Sequence, residues 1–339
     1  MRQLKVGVIG VGQMGAKHAE VYARLPQAEL VGLADPRIDV CRQVAGSLGV
    51  EDVYEDYQEL LARADLDAVS ICTPDEAHKE PVLAAIDAGK HIMLEKPLAT
   101  ELQEAEEIVS ALERSSVKAM VAYLLRFDPR YLVVKEAIER GDLGEIEYIV
   151  AHRNSPHTEG PKRYKAGTSL TMHVAVHDLD LIAWFMQTQP SKVFAIAASK
   201  LLKVKQMTDA ASALITFEDG AFASVNYSWV LPDRSTTRLD ARMEVVGTLG
   251  SAYVGVYHEQ AVLLTSAGGI DAPDVHHAPR YGGEVRGDLR EELIAFVNCV
   301  LHDRPSPVPV EEGLHSLKLA NAIEESISTG KAVYTRSEK

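Results

Sequence analysis

An α/β chain of two domains is expected: a doubly wound parallel sheet over residues 1–123, then an α+β domain with a mostly antiparallel open sheet over residues 124–339. Three observations predict it. The glycine-rich run Val6-Gly7-Val8-Ile9-Gly10-Val11-Gly12-Gln13-Met14-Gly15 follows the first apolar stretch and opens an amphipathic one. Short apolar runs then alternate with helical patterns as far as Tyr123, the mark of βαβ units. Beyond Asp128, longer strand patterns succeed one another through turns such as Glu218-Asp219-Gly220, which favours antiparallel pairing. At 339 residues the chain also exceeds the roughly 250–300 residues at which single cores stop growing.

Along the first domain, Leu4 to Ile9 reads as a buried strand and Gly15 to Leu25 as a helix stopped near Pro26. Leu30 to Ala34 is a second strand and Asp39 to Leu48 a second helix. Tyr57 to Ala62 is a short helix before the strand Ala68 to Cys72, and Glu80 to Ala88 a helix that stops at Gly89. The strand His91 to Leu94, the helix Leu102 to Ser115 and the strand Lys118 to Tyr123 complete the series. In the second domain a helix from Arg130 to Arg140 precedes strands at Ile146 to His152, Lys192 to Ala198, Ala211 to Phe217, Ala221 to Trp229, Arg242 to Val246, Ser251 to Val256 and Ala261 to Thr265. One helix, His173 to Met186, interrupts them, and Leu289 to Leu301 and Val310 to Thr329 close the chain.

Composition narrows the function. Hydrophobic residues make up 46% of the chain and charged residues 25%, ordinary values for a folded protein. A formal net charge of −14, with no dense Lys/Arg run to offset it, excludes nucleic acid and anionic membrane as expected partners. Cys41, Cys72 and Cys299 lie far apart without a C-x-x-C pair, so no metal knuckle or disulfide framework is indicated and reduced thiols in a cytoplasmic setting are expected. The first strand follows without a signal-peptide pattern, and no apolar stretch approaches the ~20 residues that span a bilayer.

Gly10, Gly12 and Gly15 form a G-x-G-x-x-G run between a strand and a helix, which is the context of a Rossmann dinucleotide fingerprint. Gly10 permits the tight turn, Gly12 lets the backbone approach a pyrophosphate, and Gly15 lets helix and strand pack closely. Gln13 and Met14 bring the free N–H groups of the helix start to the phosphates. Asp35, at the end of the second strand, suits the adenosine ribose hydroxyls and repels a 2′-phosphate. NAD is therefore expected in preference to NADP, with Arg37 softening that preference.

Two further motifs follow later strands: Thr73-Pro74-Asp75-Glu76-Ala77-His78 after the third, and Glu95-Lys96-Pro97 after the fourth. With the fingerprint, they resemble the glucose–fructose oxidoreductase / inositol dehydrogenase (Gfo/Idh/MocA) family over essentially the whole chain. Ligands of an open parallel sheet bind beyond the carboxyl ends of its strands, where Thr73, Glu95 and Lys96 all fall. Thr73, Pro74, His78, Glu95 and Lys96 are accordingly expected around the cofactor. Lys96 is suited to hold a substrate hydroxyl and stabilise alkoxide character as hydride leaves. His177-Asp178-Leu179-Asp180 resembles the family's H-x-x-D segment, which implies that His177 exchanges the hydroxyl proton; Asp180 is expected to orient it, to meet the substrate or to help hold the helix start.

The chain departs from the family where an aspartate usually stands four residues before that histidine: here it is His173. His173 and His177 share one face of a helix, and two imidazoles cannot supply an aspartate's negative charge. A metal reading of this pair lacks a third ligand, so no metal is expected. Arg126 follows the last strand of the first domain, on a segment that by the resemblance leads to the site, and is a candidate substrate contact; Arg153, Lys162, Arg163 and Tyr164 form a candidate wall for a carboxylated, sulfonated or phosphorylated sugar, against the plainer fate of surface charge. The favoured activity is hydride transfer between NAD and a secondary hydroxyl of a sugar, sugar derivative or polyol. The alternatives are an NAD-dependent glycosidase working by transient oxidation, elimination, water addition and re-reduction, and a non-catalytic NAD-binding regulator. An open antiparallel sheet needs cover for its second face, so a homodimer or homotetramer is expected.

Overall fold

The computed structural model describes residues 2–160, 168–202, 207–232, 239–255, 263–265, 269–271 and 274–335. The chain divides into two compact units, the first comprising Met1–Phe127 and His276–Leu314, the second Asp128–Val275 and His315–Lys339.

In the first unit, the strands β1 (Leu4–Ile9), β2 (Ala28–Ala34), β3 (Val53–Tyr54), β4 (Ala68–Ile71), β5 (His91–Leu94) and β6 (Ala119–Val121) form one sheet in the order β3-β2-β1-β4-β5-β6. Every neighbouring pair is parallel. Such strands are covered on both faces, which is why their sequences read as near-continuous apolar runs. The helices α1 (Gln13–Tyr22), α2 (Ile38–Leu48), α3 (Tyr57–Leu61), α4 (Lys79–Asp87) and α5 (Leu102–Glu113) make the crossovers. The strand order reverses between β1 and β4, the place where such sheets bind ligands. β3, only two residues long, is too short to announce itself in a periodicity reading.

The local pattern closes this domain at Tyr123, yet the chain returns to it over His276–Leu314. Helix α8 (Asp288–Leu301) buries Leu289, Leu293, Phe296 and Val297, the i, i+4, i+7, i+8 stripe, and packs against α1, β1 and β5. A small hairpin of β15 (Arg280–Tyr281) and β16 (Glu284–Val285) precedes it.

The second unit opens with α6 (Pro129–Glu139), capped by Asp128, whose side chain accepts the Arg130 N–H. Its sheet has the order β12-β11-β7-β10-β9-β8-β17. The strands are β7 (Ile146–Pro156), β8 (Pro190–Ala198), β9 (Ala210–Phe217), β10 (Phe222–Leu231), β11 (Asp240–Gly247), β12 (Ser251–Gly255) and β17 (Val333–Tyr334). All neighbours run antiparallel except β7 and β10. Two short strands, β13 (Leu263–Thr265) and β14 (Gly269–Asp271), pair separately.

Period-two burial is plain along β9, where Ala211, Ala213, Ile215 and Phe217 face inward. The covered face receives α7 (Val176–Met186), which packs on β7 and β10. The other face displays Phe194, Leu214, Phe222 and Tyr253 to solvent, with Tyr148 stacked on Phe222 at 5.4 Å between ring centroids. Helix α9 (Val310–Thr329) belongs to this unit from His315 onward, and its Ser326 hydroxyl oxygen accepts the Ala195 N–H of β8 at 2.8 Å. Among the described residues, no helix is long and apolar enough to cross a membrane.

Candidate functional site

In the first unit the glycine run makes a cradle. Gly10 has φ +85°, and a Cβ there would stand 2.7 Å from the Cys72 carbonyl and the Thr73 nitrogen, so the β1–α1 turn crosses β4 at a distance only glycine allows. A Cβ at Gly15 would lie 1.8 Å from the Gly10 oxygen. At Gly12, by contrast, a Cβ would meet nothing within 4 Å, and no side chain caps the start of α1. The helix therefore presents its first N–H groups, with those of Gln13 and Met14, to open space at the switch point. That fits a pyrophosphate.

Asp35 stands at the end of β2, only 4% exposed. Its Oδ2 accepts the Val11 N–H at 2.8 Å, and its Oδ1 accepts the Arg37 N–H at 2.9 Å. The Arg37 guanidinium donates to both oxygens at 3.1 Å. Burial alone would raise this carboxyl, but Arg37 and the two backbone N–H groups outweigh it and hold it below its usual range. Asp35 is thus a bracket for the fingerprint turn as well as the acid expected at the ribose.

The loops after β4 and β5 are joined by buried histidines. Thr73 donates its hydroxyl to the Ala77 carbonyl at 3.0 Å, and Pro74 starts the short 3-10 turn Asp75–Ala77. His78, 1% exposed, places Nδ1 2.8 Å from the Pro97 carbonyl and Nε2 3.2 Å from the Thr73 carbonyl. Glu95 turns inward: its Oε1 lies 3.1 Å from His18 Nε2, and its Oε2 accepts the Lys96 N–H at 3.2 Å. Burial would raise Glu95, but the His18 hydrogen bond and the nearby Lys96 ammonium outweigh it and hold the carboxyl below its usual range, so it is ionised at neutral pH. Lys96 follows at the carboxyl end of β5, on the same rim as Gly10, and its peptide bond to Pro97 is cis.

His18 belongs to no sequence motif yet joins this network. It sits on α1 with no exposure, its Nδ1 2.7 Å from the Ser70 hydroxyl oxygen. The signal was present: Gly15, His18, Ala19 and Tyr22 form an i, i+3, i+4, i+7 stripe facing the sheet, so this histidine had to be buried and had to find partners.

In the second unit, a π turn over Thr171–Ala175 leads into α7, a distortion that recurs at functional sites. From Leu170 to Ile182 every residue is buried except His173 and His177, which are half-buried. The two imidazoles thus share the one open face of this segment, as their spacing predicts. The His173 ring lies 6.3 Å from that of Trp229 on β10.

Three expected contributors are engaged by partners within the protein. Asp180 has no exposure and faces α9, where Ser316 is 3.4 Å away. Arg153, expected at a substrate anion, is buried on β7 and donates from Nε and Nη2 to the two oxygens of Asp178 at 2.7 and 2.8 Å. A guanidinium so engaged fixes α7 to the sheet. Arg126, in the first unit, is buried and ion-paired with Glu312. Their polarity was legible but their burial was not. Tyr164, with Lys162 and Arg163, lies outside the described residues.

Comparison with known proteins gives a consistent picture. The model of an oxidoreductase family with an NAD-binding Rossmann fold matches residues 4–123, and the model of that family's C-terminal alpha/beta domain matches residues 135–335. The chain is 28% identical over 335 residues to myo-inositol 2-dehydrogenase of Thermotoga maritima, covering 97% of this chain and 98% of that protein. It is also 28% identical over 335 residues to the NAD(+)-dependent scyllo-inositol 2-dehydrogenase of Bacillus subtilis, covering 98% and 96%. Among solved structures, scyllo-inositol dehydrogenase of Lactobacillus casei with bound NAD(H) and scyllo-inositol superposes with a TM-score of 0.86 at 25% identity, over 99% of this chain and 100% of that one.

Proposed function

From the chain's membership of the Gfo/Idh/MocA oxidoreductases, whose N-terminal domain binds NAD in a Rossmann fold, we propose that it oxidises a secondary hydroxyl of a cyclic polyol or sugar. The observation that carries this reading is the placement of Lys96 at the carboxyl end of β5, on the rim where the open cradle of Gly10, Gly12 and Gly15 lies. NAD, when bound, supplies the hydride acceptor. The N–H groups of Gln13 and Met14 hold its pyrophosphate, Asp35 its ribose, and the Thr73-Pro74 loop borders it. Lys96 holds the reacting hydroxyl and stabilises the developing oxyanion. His177 takes the hydroxyl proton, and His173 sets the charge around it. The inositol dehydrogenases among the relatives support a cyclic polyol as the substrate class. A panel of inositols, sugars and glycosides, followed by NADH absorbance, tests the reading.

One observation favours a second reading. With His173 where the family's aspartate usually stands, the acid–base set suits transient oxidation followed by elimination of a glycosidic leaving group. A released aglycone without net NADH is its signature.

Asp35 governs cofactor choice in this account. Asp35→Ala is expected to raise the dissociation constant for NAD and to narrow the gap to NADP, because it removes ribose hydrogen bonds and releases Arg37 toward a 2′-phosphate. Calorimetry on both dinucleotides measures it; tighter binding of NADP by the unaltered protein contradicts the assignment.

The sheet face bearing Phe194, Leu214, Phe222 and Tyr253 is taken as the contact between copies of this chain, giving a homodimer or homotetramer. Light scattering at micromolar concentration is expected to return a multiple of the 37.0 kDa chain mass; a monodisperse monomer contradicts it.

A further inference from the structure

Lys96 stands between two residues that are each pinned by a buried histidine from a different element. On its N-terminal side, Glu95 is held by His18 of α1; on its C-terminal side, the Pro97 carbonyl is held by His78 at the head of α4. We propose that His18 and His78 are positioning residues for Lys96, one acting through the Glu95 carboxylate and the other through the Pro97 carbonyl.

The chemistry of each contact assigns its working nitrogen. At His18, a neutral imidazole satisfies both partners: Nε2–H donates to Glu95 Oε1, and Nδ1 accepts the Ser70 hydroxyl proton. Glu95 in turn accepts the Lys96 N–H, so the helix that begins at the glycine cradle reaches the lysine in two hydrogen bonds. At His78 both partners are carbonyls, and a neutral ring can donate to only one of them. The shorter contact, 2.8 Å against 3.2 Å, is from Nδ1 to Pro97, on the Lys96 side. The three side chains of the two clamps are 0%, 1% and 8% exposed for His18, His78 and Glu95, so water competes little for these bonds. A lysine on a flexible four-carbon stem needs its backbone fixed if its ammonium is to meet one hydroxyl reproducibly.

This inference rests on the proposed role of Lys96, and its test exploits the two nitrogens. A glutamine amide reproduces the position of Nε2 and an asparagine amide that of Nδ1. His18→Gln and His78→Asn therefore keep the bond on the Lys96 side, whereas His18→Asn and His78→Gln keep only the far bond. The readouts are kcat on the best polyol of the panel, calorimetric affinity for NAD, and the acylation rate of the Lys96 amine in NAD-loaded protein relative to exposed Lys331.

At each position the amide that keeps the bond on the Lys96 side, His18→Gln or His78→Asn, is expected to retain more turnover and a more nearly native Lys96 reactivity than the other amide. His18→Asn and His78→Gln are expected to lose about tenfold or more in kcat, with altered Lys96 reactivity and NAD affinity little changed. Glu95→Gln, which keeps the shape and removes the charge, is expected to follow His18→Asn, and it decides the first clamp if a histidine variant does not fold. Equal behaviour of the two amides at each position, in both turnover and Lys96 reactivity, overturns the proposal. Retained turnover in Lys96→Ala instead overturns the functional reading, while the reactivity pattern still judges the clamps.

Discussion

Replacing His177 with alanine is expected to lower kcat by about 10²-fold or more, the usual scale of a lost general acid–base group. The affinity for NAD is expected to stay nearly unchanged, since the cradle, Asp35 and the Thr73 loop all belong to the first unit and His177 to the second. Steady-state kinetics over pH, paired with NAD calorimetry, separate the two effects. His173→Asp restores the residue the family usually carries there. If His173 tunes His177, that variant keeps activity and moves the pH optimum, because a carboxylate favours an imidazolium that a second imidazole disfavours. Loss of turnover in His173→Asp with NAD still bound assigns His173 a role of its own and favours the glycosidase reading. An unchanged pH–rate profile in His177→Ala removes this segment from the chemistry.

The second large effect is on stability. Arg153 and Asp178 form a bidentate ion pair with side chains 5% and 1% exposed. Removing one partner strands the other's charge in the interior, so Arg153→Ala or Asp178→Ala is expected to cost about 3–5 kcal/mol. Urea denaturation measures it as a lower midpoint at unchanged slope. Replacing both with apolar residues of similar volume, as in Arg153→Met with Asp178→Leu, is expected to recover much of the loss. Because Asp178 adjoins His177, the single variants are also expected to lose activity beyond their effect on the folded fraction. A loss under 1 kcal/mol contradicts the buried-pair description.

Local constraints made the first unit legible. The needs of a strand–turn–helix at a pyrophosphate are met within Gly10 to Gly15, and the same glycines prove sterically obligatory at Gly10 and Gly15. Apolar runs flanked by helical periodicity located β1, β4 and β5 to within a residue. The shared open face of His173 and His177 was likewise readable, since a helix carries its period in the sequence. What stayed hidden depends on contacts distant in sequence. The return of His276–Leu314 to the first unit follows from where α8 finds an apolar sheet to cover, which no local pattern encodes. Arg153 and Asp180 looked like ligand-binding residues because charge is visible in a sequence and its partner is not: Asp178 lies 25 positions from the one, Ser316 136 from the other. The helical stripe shows that His18 is buried but not what it meets: its partners are Ser70 on β4 and Glu95 just beyond β5, both distant in sequence.

The central claim is net hydride transfer from a secondary carbinol to NAD. The most direct test incubates the protein with NAD and inositols or sugars deuterated at their carbinol carbons, and follows the label by mass spectrometry. The account predicts deuterium in the reduced nicotinamide and an equal amount of ketone product from at least one cyclic polyol or sugar. Binding of NAD with no deuterium transfer from any of them, or release of an aglycone with no net reduced cofactor, contradicts it.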